Sequence, residues 1–485
     1  MKRSFFALTV VFVSLLTTGG KEANQLPIGV LDGINQEGVA SGWALDPDTP
    51  ASIDVHFYID APADSGTLVG ILPANLPRLD VNRVTGYAGD HGFNFKIPGQ
   101  YWDGIEHLLY VYAIDSDGGA SPGLWNSGRG FVLGKATGDV FDVGVEVVGS
   151  PEVVFSYTKD RCEDLDIPDA PARAFRDANG KVNLLATHYQ NYRMVGDSLA
   201  TVKKDCSKIM SSAGNPDFNT FKFAEWITSP YTLDGQNVYA LVHNEWYAYL
   251  IDPKCQQREQ INGWINAITL VVSRNRGASF SVPCDNIVVK PPLGWDQSFG
   301  CNSSNPTVFG AFAPSNIFKK DEFYYALFQS EKDPKGVLEA GTCLMRTSRL
   351  DHASAWQVWT NNGWEYSGDN TVCKPIARDR IEKMHESITW NTYLQAYVLI
   401  GTKFAPTQGV YFSTSKDLMS WTRAVKFLPA SVVYASLIDS ESSSRNFETS
   451  GQEGYVYYTR FNQEGSYLNR DLLRQKIRFV KRQLN

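Results

Sequence analysis

One phrase recurs five times after residue 150, and it restricts the fold more than any other feature of the chain. Each copy is a short strand, a polar turn and a second, more apolar strand. The copies are "APARAFRDANGKVNLLATH" (Ala170 to His188), "WITSPYTLDGQNVYALVHNE" (Trp226 to Glu245), "AFAPSNIFKKDEFYYALFQS" (Ala311 to Ser330), "HESITWNTYLQAYVLIGTK" (His385 to Lys403) and "YASLIDSES…GYVYYTR" (Tyr434 to Arg460). A sheet this small cannot bury both faces alone, so repeated sheets must stack on one another. The copies differ too much in length and spacing for a solenoid, which leaves sheets arranged radially about an axis, a five-bladed β-propeller over residues 145–485. Helical periodicity is nearly absent, so the expected class is all-β.

In such a ring the start of each first strand and the end of each second strand lie at the same rim. The starts supply Asp169, Arg173, Ser229, Ser315, His385, Glu386 and Ser436. The ends supply His188, His243, Glu245, Gln329, Lys403 and Arg460, with Arg193 a little further on. The opposite ends carry "DANG", "LDGQN", "KKDE" and "NTYLQ", ordinary solvent turns. The asymmetry predicts one mouth lined by ionisable groups. A register slip of one residue would turn any of these side chains to the other face. Aromatics make up 13% of the chain, and Tyr189, Trp226, Tyr231, Trp246 and Trp390 fall near the rim, where the readings are sugar-stacking platform or sheet core.

Residues 26–134 have a different grammar. "SIDVHFYID", "HGFNFKIP" and "HLLYVYAID" alternate apolar and polar residues between Gly, Asp and Pro, the pattern of a β-sandwich. Trp43, Asp46 and Asp48 form either a ligand or calcium edge, or a turn whose aspartates bond nearby backbone. Residues 1–22 read as a signal peptide: Lys2 and Arg3, then an apolar run from Phe5 to Leu16 too short for a comfortable span. That predicts a secreted or periplasmic protein with no transmembrane helix in the mature chain. Secretion permits disulfides. All seven cysteines follow residue 150, an odd number, and Cys255–Cys284 and Cys343–Cys373 are the expected pairs because each brackets one strand-turn-strand unit. The net charge of −7, without a basic block, disfavours nucleic acid.

The repeated blade phrase, the outer-strand phrase "STSKDLMSW" and the Asp in "IPDAPARAF" resemble the five-bladed propeller glycoside hydrolases, the arabinanase and β-xylosidase type and the invertase and levansucrase type. The resemblance covers nearly all of residues 150–485. It implies that Asp169 is a base or nucleophile and that a Glu from a later blade is the general acid, Glu386 in "HESITW" or Glu245 in "HNEW". The chain departs from the family pattern in lacking a counterpart of the usual second Asp. "GVASGWALDPDTPASIDVHFYID", with "RLDV" and "GDHGFNF", resembles a module found beside polysaccharide-active domains, which implies an accessory, carbohydrate-binding role for the N-terminal segment.

Three chemistries compete at the mouth. Hydrolysis of a polysaccharide or oligosaccharide needs only two carboxyls and no cofactor. A lyase on a uronate glycan needs a base, His243 or His188, and a cation, for which Arg173, Arg193, Lys403 and Arg460 are candidates. Those same basic residues, with His385, Gln329 and Trp246, are the candidate substrate contacts, and they make an anionic glycan one substrate class. A metal held by His188, His243 and Glu245 is the third reading. A non-catalytic glycan binder remains the bland alternative, since a propeller fold assigns no activity.

Overall fold

In the computed structural model the described residues are 24–35, 37–134, 141–253, 255, 263–295, 308–403, 408–429, 432–463 and 467–483. The signal peptide expected at residues 1–22 lies outside them. The chain divides into two units, Met1–Asp142 with Gln483–Asn485, and Val143–Arg482. No helix among the described residues is long and apolar enough to cross a membrane.

The first unit has two four-stranded antiparallel sheets. One pairs Ile28–Ile34, Val39–Leu45, Asp90–Lys96 and Leu76–Pro77. The other pairs Thr67–Pro73, Asp54–Ile59, Glu106–Ala113 and Arg129–Val132. Alternation in "DVHFYI" sends Val55, Phe57 and Ile59 inward, where they meet Leu31, Phe93 and Phe95 from the opposite sheet in one core. Phe57 stacks on Phe95 at 4.1 Å between ring centroids. Asp46 is buried, and its oxygens accept from Asp48 N (3.0 Å), Ser116 N (2.9 Å) and Ser116 Oγ (2.6 Å). Asp48 accepts from Gln25 N at 2.5 Å. These aspartates staple turns, which is what short acceptor side chains in loops commonly do.

The second unit is a succession of antiparallel meanders. The first runs Arg173–Arg176, Val182–Leu185, Arg193–Gly196, Lys203–Asp205; the second Ala224–Thr232, Val238–Tyr247, Trp264–Ser273, Ile287–Val289. The third runs from Val308–Phe312 through Phe323–Glu331 and Gly341–Thr347 to Gln357–Thr360, and a short parallel contact fuses it to the second. The fourth is Ser387–Asn391, Ala396–Lys403, Gly409–Ser415, Val425–Leu428. The fifth is Val432–Ile438, Glu453–Phe461 and Arg470–Gln483, and its outermost strand is Phe141–Phe155 from the start of the unit.

Side-chain hydrogen bonds link each meander to the next. Thr187 Oγ1 donates to Ile227 O (2.9 Å), Ser229 Oγ to Ser315 O (2.5 Å) and Asn316 Nδ2 to Ile388 O (2.7 Å). Leu437 N donates to Ser387 Oγ (3.0 Å), and Thr459 Oγ1 returns from the fifth meander to Pro168 O before the first (3.0 Å). The inner serines anticipated as rim groups therefore join the inner strands of neighbouring meanders. Buried hydroxyls left without partners would cost stability, so these cross-links also fix the spacing of the inner strands. The result is an all-β, propeller-like ring.

Two of the described cysteine pairs are Cys162–Cys206 and Cys343–Cys373. The expected Cys255–Cys284 pair is corrected: Cys284 is free and exposed, while Cys255 is disulfide-bonded elsewhere. Bracketing one hairpin is not sufficient, because a disulfide also needs its Cβ vectors to converge.

Candidate active site

Asp169 stands just before the first inner strand, between Pro168 and Ala170, with its N–H on Thr187 O at 3.3 Å. Its carboxyl is surrounded by donors from three directions. Oδ1 accepts from Tyr434 Oη (3.1 Å) and from Arg470 Nη1; Oδ2 accepts from Trp226 Nε1 (3.2 Å) and Tyr467 Oη (3.3 Å). Every partner donates, the role of an ionised carboxylate. Arg470 is 1% exposed, and its guanidinium lies 4.4 Å from the Tyr467 ring centroid.

His188, at the end of the next strand, places Nε2 3.4 Å from Tyr467 Oη and 3.6 Å from Asp169 Oδ2. Burial lowers the His188 pKa to about 4 despite the Asp169 charge, and Arg470 adds to the lowering. The imidazole is thus neutral near pH 7, so burial outweighs the ion pair that the short distance suggests.

The His243-Asn244-Glu245 row lies two residues before the end of the second strand of the second meander, Val238–Tyr247. Ala313 N donates to His243 Nδ1 at 3.1 Å, so in the neutral imidazole the proton sits on Nε2, which meets Glu245 Oε1 at 2.8 Å. Asn244 points the other way, onto Thr269 Oγ1 (2.8 Å), as strand alternation requires. Burial pushes Glu245 above the usual carboxylate range; the His243 hydrogen bond opposes this, and the charge of Asp169 adds to it. The two carboxyls therefore sense each other across the mouth. Trp226 lies between the groups, its ring 5.6 Å from His188 and 5.7 Å from His243.

His385 and Glu386 immediately precede the fourth inner strand, Ser387–Asn391. Glu386 Oε1 accepts from Thr402 N (2.7 Å) and Oε2 from His385 N (3.3 Å), so both oxygens are held by backbone. The approach is close enough that a Cβ at Gly401 would collide with Oε2. Arg173 is buried beside it and donates to Ser436 Oγ (2.9 Å) and Glu386 O. Burial lowers Arg173 to about 9, opposed by the Glu386 charge. His385 Nδ1 lies 2.8 Å from Lys383 O, and burial lowers its pKa too.

The remaining sequence-selected residues sit elsewhere or are engaged. Arg193 is on the third strand of its meander, on Asp205 (3.3 Å) and Asn183 Oδ1 (2.9 Å), a correction that follows from its place beyond the second strand. Lys403 pairs with Glu382 at 2.5 Å, Arg460 with Asp471 at 3.5 Å, and Gln329 Nε2 with Glu331 Oε1 at 2.5 Å. Trp246 is core, its Nε1 on Pro216 O at 2.9 Å. The described residues contain no cluster of three or more metal-ligating side chains, so the His188, His243, Glu245 metal reading has no support. Sequence reasoning missed Tyr467 and Arg470 and did not credit Tyr434, all from the fifth meander. The signal for Arg470 was a cation opening the last strand in "NRDLLRQ".

No family model matches the chain, and no curated protein matches it. Solved structures similar to it are glycoside hydrolases. A β-xylosidase/α-arabinofuranosidase from a compost microbial metagenome is 14% identical, over 69% of this chain and 95% of that one, with a TM-score of 0.38. A family 117 glycoside hydrolase of the marine bacterium Zobellia galactanivorans is 9% identical over 70% and 91%, at 0.41. The catalytic domain of a Coprinopsis cinerea α-L-arabinofuranosidase is 10% identical over 70% and 98%, at 0.38. The assignment of residues rests on the geometry above.

Proposed function

We propose that the chain is a secreted glycoside hydrolase of five-bladed propeller architecture that cleaves a polysaccharide or oligosaccharide at this mouth. The observation that carries the reading is the pairing of a donor-saturated Asp169 with a buried Glu245 whose proton is favoured by burial. Glycoside cleavage needs one carboxyl that gives a proton to the leaving oxygen and one that activates water or attacks the anomeric carbon. Glu245 suits the first task, with His243 Nε2–H steadying Oε1 and burial favouring the protonated form. Asp169 suits the second. Glu386, the other candidate acid, is tied to backbone amides of its own sheet.

The lyase reading keeps one supporting observation, a neutral His188 next to the Tyr467 hydroxyl. Its proposed cations are a weaker match, since Arg193, Lys403 and Arg460 already face carboxylates and Arg173 is buried. Incubation with neutral and uronate-containing glycans separates the readings. New reducing ends without ultraviolet absorbance mean hydrolysis; an absorbing unsaturated product means a lyase; retention without either product means a binder. Asp169→Asn should lower hydrolysis by about a hundredfold or more with the fold intact. Undiminished turnover in that variant removes Asp169 from the reaction.

A further inference from the structure

The two oxygens of Asp169 are held differently. Oδ1 is fixed by Arg470 and by Tyr434, whereas Oδ2 accepts from the buried Trp226 and from Tyr467, a residue that is 57% exposed. Oδ2 is thus the oxygen that meets an exposed side chain, with His188 Nε2 nearby.

The chain reaches this arrangement through an unusual backbone. Pairing in the fifth inner strand shifts register between Val433 and Ser436. Within the shift Tyr434 adopts φ +58°. A bulge re-aims a side chain, and a bulky residue at positive φ is strained. Glycine would take that conformation without strain, yet the position carries a tyrosine whose hydroxyl ends 3.1 Å from Oδ1. Burial, and after it the Asp169 charge, raise the phenol pKa well above its usual value, so the group stays a donor.

We propose that Tyr434 is a positioning residue that clamps Asp169 Oδ1 and thereby presents Oδ2 as the working oxygen toward the glycosidic bond. The proposal rests on the acid/base reading of Asp169 given above. It differs from a packing role in what it predicts for the hydroxyl alone: without it, Oδ1 is left with Arg470 alone while Trp226 and Tyr467 stay on Oδ2, and the carboxyl is held less firmly in its working orientation.

The test is Tyr434→Phe, which keeps the ring, compared with wild type and Asp169→Asn on a glycan that the wild type cleaves. The expected result is a kcat about tenfold lower or more, a KM within about twofold, and an acid limb of the pH–rate profile moved to higher pH, because one stabilising donor to the carboxylate is gone. Melting temperature and circular dichroism report on the fold independently. A lower melting temperature with unchanged kcat and pH profile makes Tyr434 a packing residue and overturns the proposal. If Asp169→Asn also keeps full activity, the acid/base reading itself has failed; if Asp169→Asn is inactive and Tyr434→Phe is normal, only the positioning role has. A wild type that cleaves no glycan removes both.

Discussion

Two buried glutamates beside histidines end up with opposite characters. Glu245 closes a second strand, takes a histidine side chain and sits within reach of the charge of another carboxyl. Glu386 opens a first strand, takes two backbone N–H groups and lies next to the buried Arg173. Both read as candidate acids in the sequence, and their burial is nearly the same. What separates them is the partner. Two backbone amides suit a carboxyl that holds strands together. A poorly solvated site next to another negative charge suits a carboxyl that keeps its proton until a leaving group takes it.

The largest effect expected from this contrast is on turnover. Glu245→Gln should lower kcat on an unactivated glycan by about a hundredfold or more, and Glu386→Gln by less than about fivefold per folded molecule. Equal losses in the two variants would erase the distinction.

The next effect is on stability and runs the other way. Glu386→Gln replaces an oxygen that accepts from a backbone N–H with an amide group that cannot, and should cost about 1–3 kcal/mol, read as a lower urea midpoint. Glu245→Gln should behave differently with pH. A carboxyl whose folded pKa is raised favours the fold below its unfolded pKa, and that benefit is lost as pH rises through the folded value. The amide therefore stabilises the protein relative to wild type at neutral and alkaline pH, and the gain vanishes in acid. A gain of the same size at every pH would contradict the assignment.

A smaller effect comes from His188. Its pKa is lowered to about 4, so the stability it contributes is complete above the unfolded value near 6.5 and is lost as pH falls toward 4. Replacing His188 by Asn should flatten the melting-temperature profile across that window. The smallest effect belongs to Arg193, which faces Asp205 and Asn183. Arg193→Ala should change kcat/KM by less than about twofold, and a larger change would return that residue to the mouth.

The contrast also shows what strand patterns can and cannot reveal. The repeated meanders were legible because alternation and turn residues act over a few positions, and both are written locally. The rim logic put Asp169, His188, His243 and Glu245 on one list, since strand ends follow from strand count. It could not rank Glu245 against Glu386, because the deciding partners, Asp169 in one case and Thr402 N in the other, come from pairings across the fold. Tyr434 was obscured by a bulge, which breaks the period-two rule that places side chains. Tyr467 and Arg470 follow a hairpin whose length gives no register. In the first unit the aspartates of "GWALDPD" were read as a turn or a ligand edge, and the Ser116 contact that settles Asp46 comes from the far side of the sandwich.

The central claim is that Glu245 delivers the proton. It is tested most directly by comparing Glu245→Gln with wild type on two glycosides of one sugar, an unactivated alkyl glycoside and an aryl glycoside whose leaving group needs no protonation. Glu245→Gln should be severely slowed on the first and close to wild type on the second, while Glu386→Gln shows no such dependence on the leaving group. Equal slowing of Glu245→Gln on both substrates, or a leaving-group dependence in Glu386→Gln instead, would contradict the account.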